Sequence, residues 1–164
     1  MSLRIYTTED PEVRTVSTEI SRTELQKKEL QEFAKELAKA MVDFDGVGIA
    51  APQVGKCIRM IAIAKEYAET KEHLILVNPR IASAGKKTAN MEEGCLSVPQ
   101  TYGLVERATK VRVKATQLNG ETIDIKAKGM FARILQHEVD HLNGILFIDK
   151  ATEITKQATT SVAI

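Results

Sequence analysis

The chain has 164 residues, of which 43% are hydrophobic and 27% are charged, and its formal net charge is +1. A chain of this length can bury enough surface to form one globular domain over residues 1–164, which excludes a wholly disordered protein. No apolar run approaches the ~20 residues that span a bilayer, and the first residues have no apolar segment typical of a signal peptide. We therefore expect a cytoplasmic protein with no membrane partner. Because basic and acidic residues are interleaved, we also expect no direct nucleic-acid partner.

The first predicted element is a long N-terminal helix. Ser21 and Glu24 have the spacing of a capping box, and apolar residues between 30 and 44 recur at helical spacing. Gly46 can adopt the left-handed conformation that closes a helix, so the helix is expected to end near residues 45–46.

Strands are predicted in the middle of the chain. Residues 58–64 and 74–77 are short apolar runs with polar neighbours, which is typical of buried strands, although periodicity alone does not exclude helix. Residues 111–116 and 122–127 alternate apolar and polar side chains on either side of Asn-Gly at 119–120. This pattern predicts a hairpin with a type I′ turn.

The last third of the chain predicts a second helix over about residues 129–143, ended by Gly144, and one more strand at 145–148. A polar tail follows from about residue 151. Together the elements predict an α+β fold, in which mostly antiparallel strands of a single compact domain surround the second helix. The long N-terminal helix completes the predicted fold.

Residues 136–141, Gln-His-Glu-Val-Asp-His, carry the strongest indication of chemistry. His137 and His141 are four positions apart on the predicted helix, so both imidazoles project from one face and can bind one divalent ion. Glu138 beside them could take a proton from a water on that ion and return it later. The alternative is a surface helix whose charged residues have this spacing by chance.

The third metal ligand has to come from elsewhere in the chain. No histidine follows His141, and the acidic candidates beyond it are Asp149 and Glu153. Cys95 is the upstream candidate, because one thiolate and two imidazoles leave a tetrahedral position open for water, as a catalytic site requires. The alternative is that Cys95 packs as a small apolar residue, which is the role expected for Cys57 in its apolar surroundings.

Three segments resemble the signature motifs of peptide deformylases, in the same order along the chain. They are Gly-Val-Gly-Ile-Ala-Ala-Pro-Gln at 46–53, Glu-Gly-Cys-Leu-Ser at 93–97, and the segment 136–144. The similarity covers about residues 4–149, including Asp-Pro-Glu-Val-Arg at 10–14. The resemblance implies a metal-dependent hydrolase that removes the formyl group from the N-terminal methionine of newly made proteins and releases formate.

The same resemblance implies a role for each residue of the predicted site. The metal ligands that it implies are Cys95, His137 and His141. Glu138 would be the general acid/base while a metal-bound hydroxide attacks the formyl carbon. The Gln53 side-chain amide and the Leu96 backbone N–H would stabilise the oxyanion, since donors aimed at developing charge are effective in catalysis. Without the motif, Gln53 would be interpreted as a polar loop residue.

The resemblance also implies how the peptide binds. The residues that would contact its backbone are Val47, Gly48 and Gly94. The residues that would form the apolar pocket for the methionine side chain are Val47, Met91, Met130 and Ile134. Met130 and Ile134 could equally belong to the core. Tyr102 stands where several relatives carry a basic residue, so the preference beyond the methionine stays open.

Three further residues are expected to support the site. Glu93 would accept a hydrogen bond from the backbone or from water and keep the ligands oriented, and Asp140 would form a structural ion pair with Arg107. One thiolate and two imidazoles suit both zinc and iron(II). The resemblance implies one divalent ion per chain, Fe(II) in the cell, with zinc, nickel or cobalt as substitutes in purified protein.

Two other functions stay open on the sequence alone. A peptidase could use the same water chemistry on internal peptide bonds. A closed structural metal site would need a fourth protein ligand, for which the sequence offers no second paired cysteine or histidine. The implied partners are N-formylmethionyl nascent peptides. Transient contact with the ribosome stays open, because residues 155–164 lack the basic C-terminal helix that some bacterial members have.

Overall fold

The computed structural model describes residues 3–156 and residue 164. Its helices are α1 Arg22–Leu25, α2 Lys28–Asp43, α3 Lys65–Ala68 and α4 Gly129–Leu142. Its strands are β1 Gly48–Ala50, β2 Met60–Ile63, β3 Leu74–Ala84, β4 Thr88–Cys95, β5 Val98–Ala108, β6 Lys110–Thr116, β7 Thr122–Lys128 and β8 Thr152–Lys156. Short 3-10 helices lie at Pro11–Arg14, Ala51–Val54 and Phe147–Asp149. Within this described part, no helix is long and apolar enough to cross a membrane.

The strands form two sheets around α4. The larger sheet has the order β1-β2-β3-β6-β7 and the smaller one the order β4-β5-β8, and neighbouring strands are antiparallel in both. Helix α4 contacts strands of both sheets, so it lies at the centre of the molecule. The predicted α+β fold, with antiparallel strands around this helix, is confirmed.

Alternating side chains explain how α4 and the larger sheet share a core. In β6, Val111, Val113 and Ala115 are buried in the same apolar cluster as Ile134 and Leu135 of α4. The residues between them are exposed or half-buried, so this part of the sheet has one apolar face and one polar face. A second cluster joins α2 to β1 and β2 through Phe33, Leu37, Met41, Ile49 and Met60.

The long N-terminal helix is divided in two, so its predicted extent was wrong. The capping box is present, and Ser21 Oγ accepts a hydrogen bond from the Glu24 N–H at 3.2 Å, but it opens only the four-residue α1. Lys27 then adopts an extended conformation, and α2 starts separately at Lys28. A single extended residue is enough to interrupt a helix, and the apolar spacing does not reveal it.

The end of α2 lies where it was predicted, but a different residue closes it. Asp45 adopts the left-handed conformation with a φ of 60°. The Gly46 N–H donates to the Met41 carbonyl at 2.9 Å. Aspartate tolerates the left-handed region better than most residues. The aspartate therefore takes the conformation that was expected of the glycine.

The other predicted strands are present with changed limits. The run 58–64 forms the shorter β2, and the run 74–77 extends through β3 to Ala84. The β6–β7 hairpin is confirmed, but its turn is not type I′, since Gly120 has a positive φ of 87° and Asn119 does not. The Gly120 N–H donates to the Gln117 carbonyl at 2.9 Å. A type I turn followed by a left-handed glycine accounts for both observations.

The strand predicted at 145–148 was wrong. Gly144 turns the chain with a φ of 72°, and a 3-10 helix follows, in which the Asp149 carboxylate accepts a hydrogen bond from the Leu146 N–H at 2.9 Å. An apolar run does not reveal such a side-chain contact. The predicted polar tail begins with β8, an exposed edge strand paired with β5. Residues 157–163, on which most of the prediction about the C-terminal helix falls, lie outside the described residues.

Candidate active site

Helix α4 and the end of β4 bring the three predicted metal ligands together. Cys95 is the last residue of β4, and His137 and His141 lie one turn apart on α4. All three side chains are buried, and their ligand atoms lie within 4.8 Å of one another. Cys95 Sγ is 3.3 Å from His141 Nε2, which is 3.2 Å from His137 Nε2.

This arrangement fits a divalent metal ion. In a tetrahedral site, metal–nitrogen bonds of about 2.0–2.1 Å and a metal–sulfur bond of about 2.3 Å place neighbouring ligand atoms roughly 3.3–3.6 Å apart. The two separations that involve His141 Nε2, 3.3 Å to Cys95 Sγ and 3.2 Å to His137 Nε2, are close to that range. One thiolate and two imidazoles are ligands that zinc and iron(II) both accept. Three protein ligands leave a fourth position, which is typical of catalytic sites.

Metal binding at this site would be coupled to the release of a proton. Burial, with a smaller contribution from the negative charge of Glu138, raises the pKa of the Cys95 thiol to about 12. Burial also lowers the pKa of His141, which keeps that imidazole neutral. Because a thiol coordinates a metal as the thiolate, binding of the ion displaces the Cys95 proton.

Glu138 is a buried carboxylate that is close enough to Cys95 to raise its pKa. Both of its oxygens are buried, and neither has a hydrogen-bond partner among the described residues. Burial raises the pKa of Glu138 well above the ordinary value of a glutamate. Gly48 of β1 approaches so closely that a Cβ on it would lie 2.6 Å from Glu138 Oε1. A carboxyl group with a raised pKa is suited to general acid/base chemistry.

Contacts at both ends of its amide orient the Gln53 side chain. Its Oε1 accepts a hydrogen bond from the Ala50 N–H at 2.8 Å, and its Nε2 donates to Ser97 Oγ at 3.2 Å and contacts Cys95 Sγ at 3.5 Å. Leu96 lies in the turn between β4 and β5, next to Cys95. The amide and this turn therefore border the ligand group, which is compatible with the oxyanion role predicted for both residues.

Glu93 connects His137 to two arginines. The Glu93 carboxylate accepts from His137 Nδ1 at 2.8 Å, an arrangement that leaves Nε2 for a metal. Arg107 donates to both carboxylate oxygens at 2.7 and 2.9 Å, and Arg133 donates to Oε2 at 2.6 Å. Burial would raise the pKa of Glu93, but the hydrogen bonds from His137 and Arg107 outweigh it and lower the pKa to about 2. Its contacts are thus side chains, where the sequence suggested backbone or water.

The ion pair predicted between Asp140 and Arg107 is present. Arg107 Nη1 donates to Asp140 Oδ2 at 2.8 Å, and Lys150 Nζ lies 2.9 Å from the same oxygen. Arg107 contacts Asp140 and Glu93 at once, so it joins the outer part of α4 to the carboxylate that holds His137.

The residues predicted for substrate binding fall into two groups. Four of them are buried: Val47, Gly48, Gly94 and Ile134. A Cβ on Gly48 would lie 2.8 Å from Ile134 Cγ2, so these two residues are in close contact. Met91 and Met130 are 43% and 36% exposed, which places them at the surface rather than in the core. The sequence left open whether Met130 and Ile134 belong to the core. Ile134 is buried in the core, whereas Met130 is not.

Two residues of this site were not predicted from the sequence. Arg133 lies one helical turn before His137, and it also donates to the carbonyls of Ala89 and Val105 at 2.8 and 2.9 Å. Its spacing of four from His137 was the signal that could have indicated it. The other is Ser97, whose hydroxyl accepts the amide hydrogen bond described above. Its place in the Glu-Gly-Cys-Leu-Ser segment was the only indication in the sequence.

A buried Cys-His-His group beside a carboxylate, on an α+β scaffold, is typical of metal-dependent hydrolases. The sequence model of the polypeptide deformylase family matches residues 2–157. The chain is 43% identical over 149 residues to the peptide deformylase of Brucella suis, covering 90% of this chain and 83% of that protein. It is also 43% identical over 155 residues to the peptide deformylase of Halothermothrix orenii, covering 94% of this chain and 97% of that protein.

A solved structure gives the same result for the fold. The Met-Ala-Ser-bound class I type b peptide deformylase of Acinetobacter baumannii matches with a TM-score of 0.84 at 39% sequence identity, covering 92% of this chain and 99% of that one. The chain therefore belongs to the polypeptide deformylase family. The predicted family and the predicted enzyme class, peptide deformylase, are confirmed.

Proposed function

We propose that this protein removes the formyl group from the N-terminal formylmethionine of newly made polypeptides and releases formate. The observation that carries the proposal is the surroundings of Glu138, which is buried near the Cys-His-His group with neither oxygen hydrogen-bonded among the described residues. Burying a carboxylate without a partner costs stability, so a chemical role explains it better than packing does. The tripeptide bound by the A. baumannii relative begins with methionine, which supports the substrate class.

The residues of this chain have separate tasks in the proposed hydrolysis. A divalent ion held by Cys95, His137 and His141 would supply Lewis-acid chemistry that lets a water ionise near neutral pH. Glu138 accepts the proton of the attacking water and then donates it to the methionine nitrogen as the C–N bond to the formyl carbon breaks. The products are formate and a peptide with a free amino terminus.

Gln53 and Leu96 stabilise the negative charge that develops on the formyl oxygen. The Gln53 amide is held by Ala50 and Ser97, so its N–H direction is fixed before the substrate binds. The Leu96 backbone N–H is the second donor. Each donor of this kind can contribute about 3–4 kcal/mol in the transition state when it is preorganised.

The peptide binds in an extended conformation between β1 and the end of β4. The residues that contact its backbone are Val47, Gly48 and Gly94. The methionine side chain enters a pocket formed by Val47, Met91, Met130 and Ile134. Methionine side chains are unbranched and adaptable, so Met91 and Met130 can pack around another unbranched side chain at the open rim of this pocket.

Glu93, Arg107 and Asp140 keep His137 oriented in this proposal, because the partner of a metal-binding histidine fixes its ring. We also propose iron(II) as the metal in the cell, with zinc, nickel or cobalt binding the same ligands in purified protein, since the donor set suits them. The whole chain forms one catalytic domain, and it acts in the cytoplasm, where newly made chains present their formylated ends. Contact with the ribosome stays a prediction.

Formate release from formyl-Met-Ala-Ser, with metal analysis of the same sample, tests the proposed function. We expect formate release that depends on about one metal ion per chain, because three ligands form one open site. An unformylated peptide with an internal Met-Ala-Ser serves as the control substrate. Cleavage of that internal peptide without formate release would identify a peptidase, and a metal ion with no exchangeable water would identify a structural site.

A further inference from the structure

The outer face of the larger sheet, opposite α4, carries a dense group of positive charges. In β6, Lys110, Arg112 and Lys114 alternate with the buried residues that pack against α4, so their side chains lie on the outer face. In β7, Lys126 and Lys128 are also exposed. The face is therefore basic over two neighbouring strands.

The register of the strands places these cations side by side. Lys110 is opposite Lys128, and Arg112 is opposite Lys126. On the other side of β6, Lys114 is opposite Arg80 of β3. We define the basic face by its exposed members, including two from the turn between β3 and β4: Arg80, Lys86, Lys87, Lys110, Arg112, Lys114, Lys126 and Lys128.

One acid lies among these eight basic residues. Within strands β3, β6 and β7 and the turn at 85–87, all of which the structure describes, Asp124 is the single acidic residue. It forms an ion pair with Arg112. The hydrogen bond from Arg112 is the main cause of the lowered pKa of Asp124, and the charges of Lys114 and Lys126 lower it further. Because the whole chain has a net charge of +1, its remaining residues carry an excess of acid.

Folding does not explain this distribution of charge. Like charges placed opposite each other on neighbouring strands are destabilising, and here three cross-strand pairs are cationic on both sides. The exposed surface of α2 shows the usual alternative, since its lysines at positions 28 and 39 pair with acids four residues later. A face that keeps unfavourable neighbours is better explained by a binding partner.

The shape and chemistry of the basic face indicate which class of partner it can bind. Two shallow hollows lie on it, one of about 390 Å³ lined by Lys110, Arg112, Lys126 and Lys128, and one of about 410 Å³ lined by Arg80, Lys114 and Asp124. None of the large exposed apolar side chains among the described residues is a member of the basic face. The face therefore has nothing to insert into lipid and no aromatic ring to stack on a base. Rows of lysine and arginine alone suit phosphate groups of a nucleic-acid backbone.

We propose that the basic face binds the phosphate backbone of RNA without reading its sequence. The choice of RNA rests on the proposed function, because newly made polypeptides emerge from an RNA-containing particle. The basic face is on the side of the sheet away from α4, so RNA bound there would not cover the α4 residues of the active site. The sequence alone predicted no nucleic-acid partner. The basic face could not be predicted from the sequence, because its lysines and arginines are separated along the chain and are brought together by strand pairing.

Fluorescence anisotropy with a labelled polyuridine RNA tests the proposal. The variant Lys110→Glu/Lys126→Glu places two acids on the basic face, and Lys28→Glu/Lys39→Glu on α2 is its control, with the same change in net charge. We expect the first variant to lose at least about tenfold in affinity and the control less than about twofold. Between about 50 and 200 mM salt, the slope of log affinity against log salt should fall by roughly one to two in the first variant.

Three outcomes would overturn the proposal. They are undetectable RNA binding by the unchanged protein at low salt, equal losses in the two variants, and stronger binding to phosphatidylserine vesicles than to RNA. Turnover of formyl-Met-Ala-Ser should be unchanged in Lys110→Glu/Lys126→Glu, because neither residue is part of the active site. Failure of the proposed function would instead appear as missing formate release from the unchanged protein, whatever its affinity for RNA.

Discussion

Two buried glutamates of the active site have opposite surroundings. Glu93 is 1% exposed, and its carboxylate accepts hydrogen bonds from His137 and from two arginines. Glu138 is 0% exposed, and neither of its oxygens has a partner among the described residues. The pKa of Glu93 is about 2, whereas burial raises that of Glu138. The same residue type thus has a lowered pKa at one position and a raised pKa at the other, and the proposed function assigns the exchangeable proton to the second.

The comparison separates a structural charge from a chemical one. A carboxylate surrounded by guanidinium groups stays ionised and holds its neighbours in place. A carboxylate without such partners gains and loses a proton more easily near neutral pH. If this distinction holds, the same substitution of glutamate by glutamine should give different losses at the two positions.

The largest expected effect is on turnover in Glu138→Gln. The amide keeps the shape of the side chain but cannot accept the proton, so formate release should fall by a factor of about 10²–10⁴. Bound metal should stay near the level of the unchanged protein. Formate release and metal content are measured on the same sample, with Glu36→Gln on the exposed surface of α2 as the control. Activity above about a tenth of the original would contradict the role of Glu138.

Glu93→Gln should act on stability and metal binding instead. The substitution leaves Arg133 buried without its counter-ion and leaves Arg107 with Asp140 alone. The loss should be about 3–5 kcal/mol of the free energy of unfolding. Metal affinity should fall roughly 10–100-fold, because His137 loses the partner that orients it. Urea unfolding and metal competition measure the two effects. Asp124→Asn removes the charge of an exposed partner of Arg112 and should leave the free energy of unfolding nearly unchanged. Equal losses in the two variants would remove the distinction between buried and exposed pairs.

The two glutamates should also have opposite effects on stability as the pH changes. The folded pKa of Glu93, about 2, is below its unfolded value of 4.5, so its contribution is present above that value and is lost as the pH falls toward 2. That contribution is about 3 kcal/mol. The folded pKa of Glu138 is raised, so stability is lost as the pH rises above its unfolded value.

Urea unfolding of the metal-free protein at several pH values measures both contributions. The gap in stability between the unchanged protein and Glu93→Gln should narrow as the medium becomes acidic. Glu138→Gln should be more stable than the unchanged protein at neutral pH, because a buried carboxylate without a partner has been removed. A Glu138→Gln variant that is less stable at neutral pH would show that this carboxylate has a structural partner after all.

The parts of the fold that the sequence predicted are those with a clear period. The core-facing side of α4 and the β6–β7 hairpin follow directly from the spacing of apolar residues. Strands β4 and β5 were not predicted, because Glu92 and Glu93 interrupt the first and Pro99 and Gly103 interrupt the second. Their pairing is set by contacts between distant segments. The run at 145–148 shows the reverse error, since an apolar composition alone does not distinguish a strand from a 3-10 helix.

The ligand group of the site was predictable because its chemistry restricts both residue type and spacing. His137 and His141 had to share a helix face, and the resemblance of the Glu-Gly-Cys-Leu-Ser segment to a family motif indicated Cys95 as the third ligand. The network behind them was harder to predict. Arg133 is joined to Glu93 across 40 residues, and such a buried contact has no period in the sequence. The spacing of Arg133 and His137 shows only that both residues project from the same side of α4.

The smallest expected effect is that of Arg133→Met. The methionine retains much of the volume of the arginine side chain. Glu93 still accepts hydrogen bonds from Arg107, so its carboxylate is not left without a counter-ion. Because the carbonyls of Ala89 and Val105 lose their hydrogen-bond donor, the free energy of unfolding should fall by roughly 1–3 kcal/mol. Metal affinity should fall by about tenfold, because His137 is held less firmly. Urea unfolding and metal competition are measured beside Arg112→Met, an exposed arginine whose loss should change neither. If Arg133→Met lowered stability but left metal affinity unchanged, Arg133 would support packing alone and would not position His137.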